Sequence, residues 1–251
     1  MKIVVIGGSG LIGSNLVNRL LRLDHEVIAA SPNTGVNTIT GEGLGAAIKN
    51  ADVVVDVSNS PSFEDKAVME FFQKSTMNLL ATEVYAGVKH HVALSVVGAD
   101  RLPDSGYLRA KVAQEELIKA SGIPYSILRS TQFFEFADKI AKAGVIGNEI
   151  HITPAEFQPI ASDETVSALV DIVIGAPLNR IVEVAGPVRM PMSEFIRYYL
   201  GKTEDSQQLV ADKHALYFGA ELNDESLVPG NNPRLGKIRY EDWFAKQLVS
   251  K

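Results

Sequence analysis

Cysteine is absent from all 251 residues. That excludes disulfides, thiolate nucleophiles and cysteine-ligated metals together. No apolar run is long enough to span a bilayer. The first strand pattern begins by residue 3, which leaves no room for a signal peptide and points to a cytoplasmic protein. Excess positive charge is missing too: 24 Lys+Arg stand against 30 Asp+Glu, a formal charge of −6. Lys237-Ile238-Arg239 is too small a basic stretch to reverse this, so nucleic acid is not an expected partner. Metal spacing is lacking among the five histidines. His90-His91 are neighbours that a strand turns to opposite faces, and no metal is expected. There is no internal repeat and no low-complexity tract. What remains is a chain 46% hydrophobic and 22% charged, enough for a large core in one domain.

The strongest positive signal lies at the start. Met1 to Ile6 reads as a buried strand and runs into Gly7-Gly8-Ser9-Gly10-Leu11-Ile12-Gly13, with a helix pattern following at once. Between a strand and a helix, G-x-G-x-x-G is the phosphate cradle of a dinucleotide-binding fold. Gly8 permits the tight turn, Gly10 lets backbone approach a pyrophosphate, and Gly13 lets helix pack on strand. The first helical turn offers free N–H groups and the positive end of its dipole.

Apolar runs then alternate with helical patterns. Strands are expected at 3–6, 27–30, 36–40 (short and weak), 53–57, 92–97 and 125–128. Helices are expected at 11–23, with Ile12, Leu16, Leu20 and Leu23 on one face, and at 44–50, 64–86 and 107–121. This order implies an α/β fold: a doubly wound parallel sheet of the Rossmann type with helices on both faces. From about residue 144 the pattern loosens into a small C-terminal substrate lobe of the same single domain, 1–251. It holds strands near 150–152, 157–160 and 181–185. A helix runs from Glu164, capped by Ser162 or Asp163, and another covers 193–200. Residues 203–236 read as loops with one short helix.

The second strand ends Ala29-Ala30-Ser31-Pro32-Asn33-Thr34. No carboxylate stands there to hold a ribose 2′-hydroxyl and repel a 2′-phosphate, and no arginine stands there to attract one. Ser31, Asn33 and Thr34 offer neutral donors. The balance favours NADP(H) over NAD(H) as cofactor.

A Tyr and a Lys four apart on a helix share a face, and an ammonium beside a phenol favours the phenolate. Three such pairs occur: Tyr85/Lys89, Tyr107/Lys111 and Tyr198/Lys202. Gly87 interrupts the first, and the third closes a C-terminal helix across Gly201. Tyr107/Lys111 opens a helix that follows a core strand. That strand carries Ser95 at its exit, the edge where such sheets bind ligands. Tyr107 is the candidate proton donor and Lys111 the group that lowers its pKa. Ser95 either orients a substrate oxygen or is a satisfied buried hydroxyl.

Together these residues resemble the short-chain dehydrogenase/reductase superfamily, in particular its atypical NmrA-like NAD(P)-binding branch. The likeness extends through Ala86 to Asp100, Tyr107 to Lys111, Gly122 to Arg129 and Ile160 to Glu164. It implies a catalytic Ser95, Tyr107 and Lys111, with Lys111 also on the nicotinamide ribose. It implies cofactor contacts from Gly7, Gly8, Ser9, Gly10, Leu11, Ile12 and Gly13, and from Ser58, Asn59 and Ser60. It puts Ser130, Thr131 and Gln132 near the nicotinamide. Asn78 falls where many members hold a proton-relay water. Two departures stand out: the arginine that NADP-using members often carry after the second strand is missing, and Gly41-Glu42 replaces an Asp after the third. The superfamily is often dimeric, which allows a homodimer here.

Phe133-Phe134-Glu135-Phe136 lines an apolar substrate pocket or packs a core, and Tyr217-Phe218-Gly219 can cap such a pocket. Gly41-Glu42-Gly43-Leu44-Gly45 reads as a turn. The expected function is an NAD(P)H-dependent oxidoreductase that reduces a small carbonyl or quinone, with a small-molecule substrate as partner. The alternatives are a non-catalytic NADP(H)-binding redox sensor acting through a protein partner, and an isomerase or epimerase that keeps its cofactor.

Overall fold

Ile3 and Val5 point to one face of the first strand, Val4 and Ile6 to the other, and all four are buried. A strand apolar on both faces has to lie inside a sheet covered on both sides. The computed structural model, which describes residues 1–203 and 207–249, shows such a sheet. Its first half comprises β1 (Lys2–Ile6), α1 (Leu11–Leu21), β2 (Glu26–Ala30), α2 (Leu44–Ile48), β3 (Val53–Asp56), α3 (Asp65–Ala86), β4 (His90–Val96), α4 (Gly106–Ala120) and β5 (Tyr125–Ser130). The second half comprises α5 (Ala137–Ala143), β6 (Val145–Ile146), β7 (Glu149–Ile152), β8 (Glu156–Phe157), α6 (Ser162–Ile174), β9 (Arg180–Ala185), β10 (Met190–Pro191), α7 (Met192–Thr203), β11 (Gln208–Ala211), β12 (Arg234–Leu235) and α8 (Tyr240–Val249).

Among the described residues the main sheet has seven strands in the order β12-β9-β5-β4-β3-β1-β2, every pair parallel. The fold is a Rossmann-type α/β sheet, as the alternating pattern implies. Ile12, Leu16 and Leu20 of α1 and Val166, Leu169 and Val173 of α6 cover the face of Ile3 and Val5. Val4, Ile6 and Val54 face Ile48 and Leu79 on the other side, where Leu80 and Ile118 also enclose Ala93 and Ile127. The chain beyond residue 144 divides. α6, β9 and β12 complete the main sheet and its cover. β8 with β10, and β6 with β7 and β11, form two small sheets beside it. Phe134, Phe157, Phe195, Ile196, Tyr240 and Phe244 gather into that lobe's own core.

Several expectations are corrected. Residues 36–40 form no strand. The Asn37 side chain accepts from the N–H of Ile39 at 2.9 Å and of Thr40 at 3.3 Å, so it competes with a sheet ladder for those donors. α1 stops at Leu21, and Leu23 is exposed beyond it. α6 begins at Ser162 behind Ala161, with no side-chain cap of its own. Glu135 closes it from a distant segment, accepting from the Ser162 N–H at 3.2 Å and from its hydroxyl at 2.6 Å. Between 207 and 236 there are two short strands and no helix; residues 204–206 of that stretch lie outside the described residues. No described helix is long and apolar enough to cross a membrane.

Candidate active site

β1 delivers the glycine-rich turn to the carboxyl edge of the sheet. Gly7 has φ +78, and a Cβ there would stand 2.8 Å from the Ser58 nitrogen. A Cβ on Gly13 would collide with the Gly7 carbonyl, which makes Gly13 the close-packing glycine. Gly10 has open space, with only the Gly7 oxygen at 3.4 Å. As the N-cap of α1, Gly10 supplies no side-chain cap, and no acidic residue occupies the first turn. The helix therefore presents uncapped N–H groups over an open surface, which suits a pyrophosphate. At the exit of β5, the Thr131 hydroxyl and both amide atoms of Gln132 are buried with no hydrogen-bond partner. Buried polar atoms left unmatched are costly, and a bound polar group such as a carboxamide would satisfy them. These features fit a dinucleotide.

The remaining expected contacts lie around the same edge. Ser31 is buried at the end of β2. Thr34 closes the short 3₁₀ turn there: its hydroxyl accepts from the Ser31 N–H at 2.9 Å and lies 3.0 Å from the Ala29 oxygen. Asn33 is exposed. Ser58 donates to Asp56 Oδ1 at 2.6 Å, Asn59 is exposed, and Ser60 is buried and accepts from the Ser62 N–H at 3.2 Å.

Ser105 caps α4 through the Leu108 N–H and sets Tyr107 in its first turn. The described contacts of Tyr107 are with rings: Phe218 stacked at 5.3 Å, Phe63 at 5.5 Å and Phe72 at 6.1 Å. Burial pushes its phenol up to about 12, and burial alone accounts for the shift. Lys111, one turn on, is buried and turns away. Its Nζ donates to the Leu94 carbonyl at 2.9 Å and to Gln114 Oε1, and it lies 4.4 Å from the Phe72 ring centre. Burial brings its ammonium down to about 8 against the attraction of Asp56 and Glu115. The expectation that Lys111 lowers the Tyr107 pKa is thus not met in this arrangement, because the ammonium is spent on a carbonyl and an amide.

Ser95 faces α4, where it donates to Glu115 Oε1 at 2.6 Å. Arg129 grips the same carboxylate at 2.9 and 2.7 Å and reaches Asp100 at 2.9 Å. Of the two readings left open for Ser95, this geometry matches the satisfied buried hydroxyl. Asn78 is placed elsewhere: its amide donates to the carbonyls of Thr38 at 2.8 Å and Ile39 at 3.0 Å, tying α3 to the loop after β2. His90 bonds Ser126 at 2.8 Å and His91 bonds Glu83 at 2.9 Å. Burial brings His90 down to about 4. Burial opposes charge on His91, but Glu83 wins and raises its pKa.

Sequence reasoning missed Asp56, Gln114 and Glu115. Gln114 Nε2 donates to Asp56 Oδ2 at 2.9 Å and so links Lys111 to the end of β3. Positions 114 and 115 lie three and four residues beyond Lys111, on its own helix face, and that spacing was the available signal.

Residues 7–150 match a family model described as NAD(P)H-binding. The chain belongs to this NAD(P)H-binding family. A curated relative, the photosystem II assembly factor Ycf39 of Synechocystis, is 22% identical over 202 residues, covering 75% of this chain and 62% of its own length. The chain thus spans less than two thirds of that relative. Among solved structures, the dTDP-4-dehydrorhamnose reductase of Clostridium acetobutylicum has TM-score 0.75 at 14% identity over 100% of both chains. The Bacillus anthracis reductase in complex with NADP has TM-score 0.75 at 13% identity, over 100% of this chain and 99% of that one. At such identities the likeness is one of fold.

Proposed function

We propose that the protein is an NAD(P)H-dependent reductase of the NmrA-like branch of the short-chain dehydrogenases, acting on a small carbonyl or quinone. One observation carries the reading: Tyr107 opens α4 at the carboxyl edge of the sheet, and the Tyr217 phenol lies within reach of both the Tyr107 phenol and the Gln132 amide at the exit of β5. When bound, the reduced nicotinamide supplies a hydride to the substrate carbon. Tyr107 donates its proton to the substrate oxygen. Burial raises the phenol's pKa to about 12, so Tyr107 keeps the proton it would donate throughout the neutral range. Thr131 and Gln132 would orient the cofactor's amide end, Gly10 and the first turn of α1 would hold its phosphates, and Phe63 would help keep water from the reacting face.

The test is NADPH consumption against aldehydes, ketones and quinones, with Tyr107→Phe alongside. Loss of a positioned general acid is expected to cost roughly 10²–10⁴-fold in turnover, with NADPH affinity unchanged. Equal rates in both proteins would remove Tyr107 from the mechanism.

A second reading has its own observation. Lys111 and Ser95 are both bonded within the protein rather than to the pocket. That suits a nucleotide-binding sensor, and the relative named as an assembly factor is compatible with it. Saturable NADPH binding with no acceptor reduced would favour this reading.

A further inference from the structure

Phe218 occupies an unusual place. Tyr217 and Ala220 exchange backbone hydrogen bonds of 2.8 and 3.1 Å across a two-residue turn. Phe218 and Gly219 fill that turn with φ +47 and +83. Both values are left-handed, the pattern of a type I′ turn, which favours Asn, Asp or Gly. A phenylalanine there is strained, and such strain concentrates at ligand clamps and switches. The strain does not serve burial, because Phe218 remains 41% exposed. Its ring lies instead on Tyr107, 5.3 Å away and inclined by 28°. Phe63, itself 51% exposed, leans on both rings from the segment after β3. On either side of Phe218 the turn is anchored: Ala220 is buried and Tyr217 packs on the lobe core. Phe218 projects from that anchor onto Tyr107, Phe63 and, edge-on, the Tyr217 ring 4.9 Å away, so its ring can leave Tyr107 at the cost of those ring contacts.

We infer that Phe218 is a gate that covers the face of Tyr107 in the free protein and yields it to a planar, unsaturated ring of the substrate. This deepens the reductase reading and rests on it. A quinone or aromatic carbonyl that displaces the phenyl recovers the stack on Tyr107 and brings a ring oxygen near the phenol. A compact or puckered aliphatic carbonyl displaces the same ring and recovers nothing. The free protein's own stack therefore reduces apparent affinity in the way any competing closed state does. Aromatic pairing of this kind corresponds to about two- to tenfold in an equilibrium constant.

Phe218→Gly tests the gate, since glycine accepts the positive φ and preserves the turn. Calorimetry on the NADP⁺-loaded protein would compare 1,4-naphthoquinone with cyclohexanone. Both ligands displace the same ring, so both are expected to bind about two- to tenfold tighter in Phe218→Gly than in wild type, with naphthoquinone the tighter of the two in each protein and the melting temperature no lower. Unchanged or weaker binding of either ligand, cyclohexanone binding as tightly as naphthoquinone, or no naphthoquinone binding to either protein would overturn the gate. NADPH oxidation measured in parallel separates the two ideas. Tighter quinone binding without reduction of any acceptor supports the gate and defeats the reductase reading. Turnover with ligand binding unmoved by Phe218→Gly defeats the gate alone.

Discussion

Burial and charge pull Lys111 in opposite directions, and burial wins. Its pKa falls from 10.5 to about 8. For a group depressed by folding, the stability it contributes is present above the unfolded pKa and is lost as pH falls through the folded one. For Lys111 that window runs from 10.5 down to 8. Replacing it with methionine keeps a long apolar stem against Phe72 and removes the titration. Wild type is therefore expected to gain on Lys111→Met as pH rises from 7 to 10.5, by about 3 kcal/mol. Urea midpoints at several pH values would show it, and a constant gap would mean that Lys111 titrates as in solution. Tyr107 is common to both proteins, so its own shift cancels. At this scale the sequence was informative where chemistry is local. The glycine spacing pointed to the cradle, and Gly87 does end α3 between Tyr85 and Lys89; Gly201 does not break α7, and Lys202 reaches the Tyr198 ring at 5.4 Å. The destination of the Lys111 ammonium was not legible, because Leu94 and Asp56 reach it only through strand order.

Elements formed where periodicity was strong and failed where side chains competed for the backbone. Residues 36–40 carry enough β-branched character to suggest a strand, yet Asn37 takes the donors a ladder would need. α6 has Ser162 and Asp163 at its start but is capped by Glu135, twenty-seven positions away in the chain. A cap that distant leaves no local signature. Asn78 shows how an element's needs decide a residue's role. The loop after β2 leaves the Thr38 and Ile39 carbonyls to be satisfied, and one amide on α3 serves both. Asn78→Ala is expected to destabilise the protein by about 1–3 kcal/mol, the cost of leaving such groups unmatched, with turnover per folded molecule unchanged. A large fall in kcat at preserved stability would restore the proton-relay role that the resemblance implies.

On the scale of the whole molecule, a chain of net charge −6 takes up a polyanion. The attraction has to be local, and the glycine turn with the uncapped end of α1 supplies it for the pyrophosphate common to both cofactors. Nothing comparable distinguishes the cofactors at β2. The exit from Ala30 through Thr34 carries neither an acid nor an arginine, and Thr34 already bonds its own turn. Only neutral donors remain for a 2′-phosphate, and neutral hydrogen bonds discriminate less than charge-assisted ones. We expect NADPH to bind more tightly than NADH, but by less than about tenfold, close to what a single hydrogen bond contributes. The ratio should also hold between 50 and 500 mM salt, roughly the range over which screening reveals ion pairs. Dissociation constants for both cofactors at the two salt concentrations decide the matter. Tighter NADH binding would reverse the preference, and a ratio that collapses with salt would mean that a cation from elsewhere in the fold reaches the ribose.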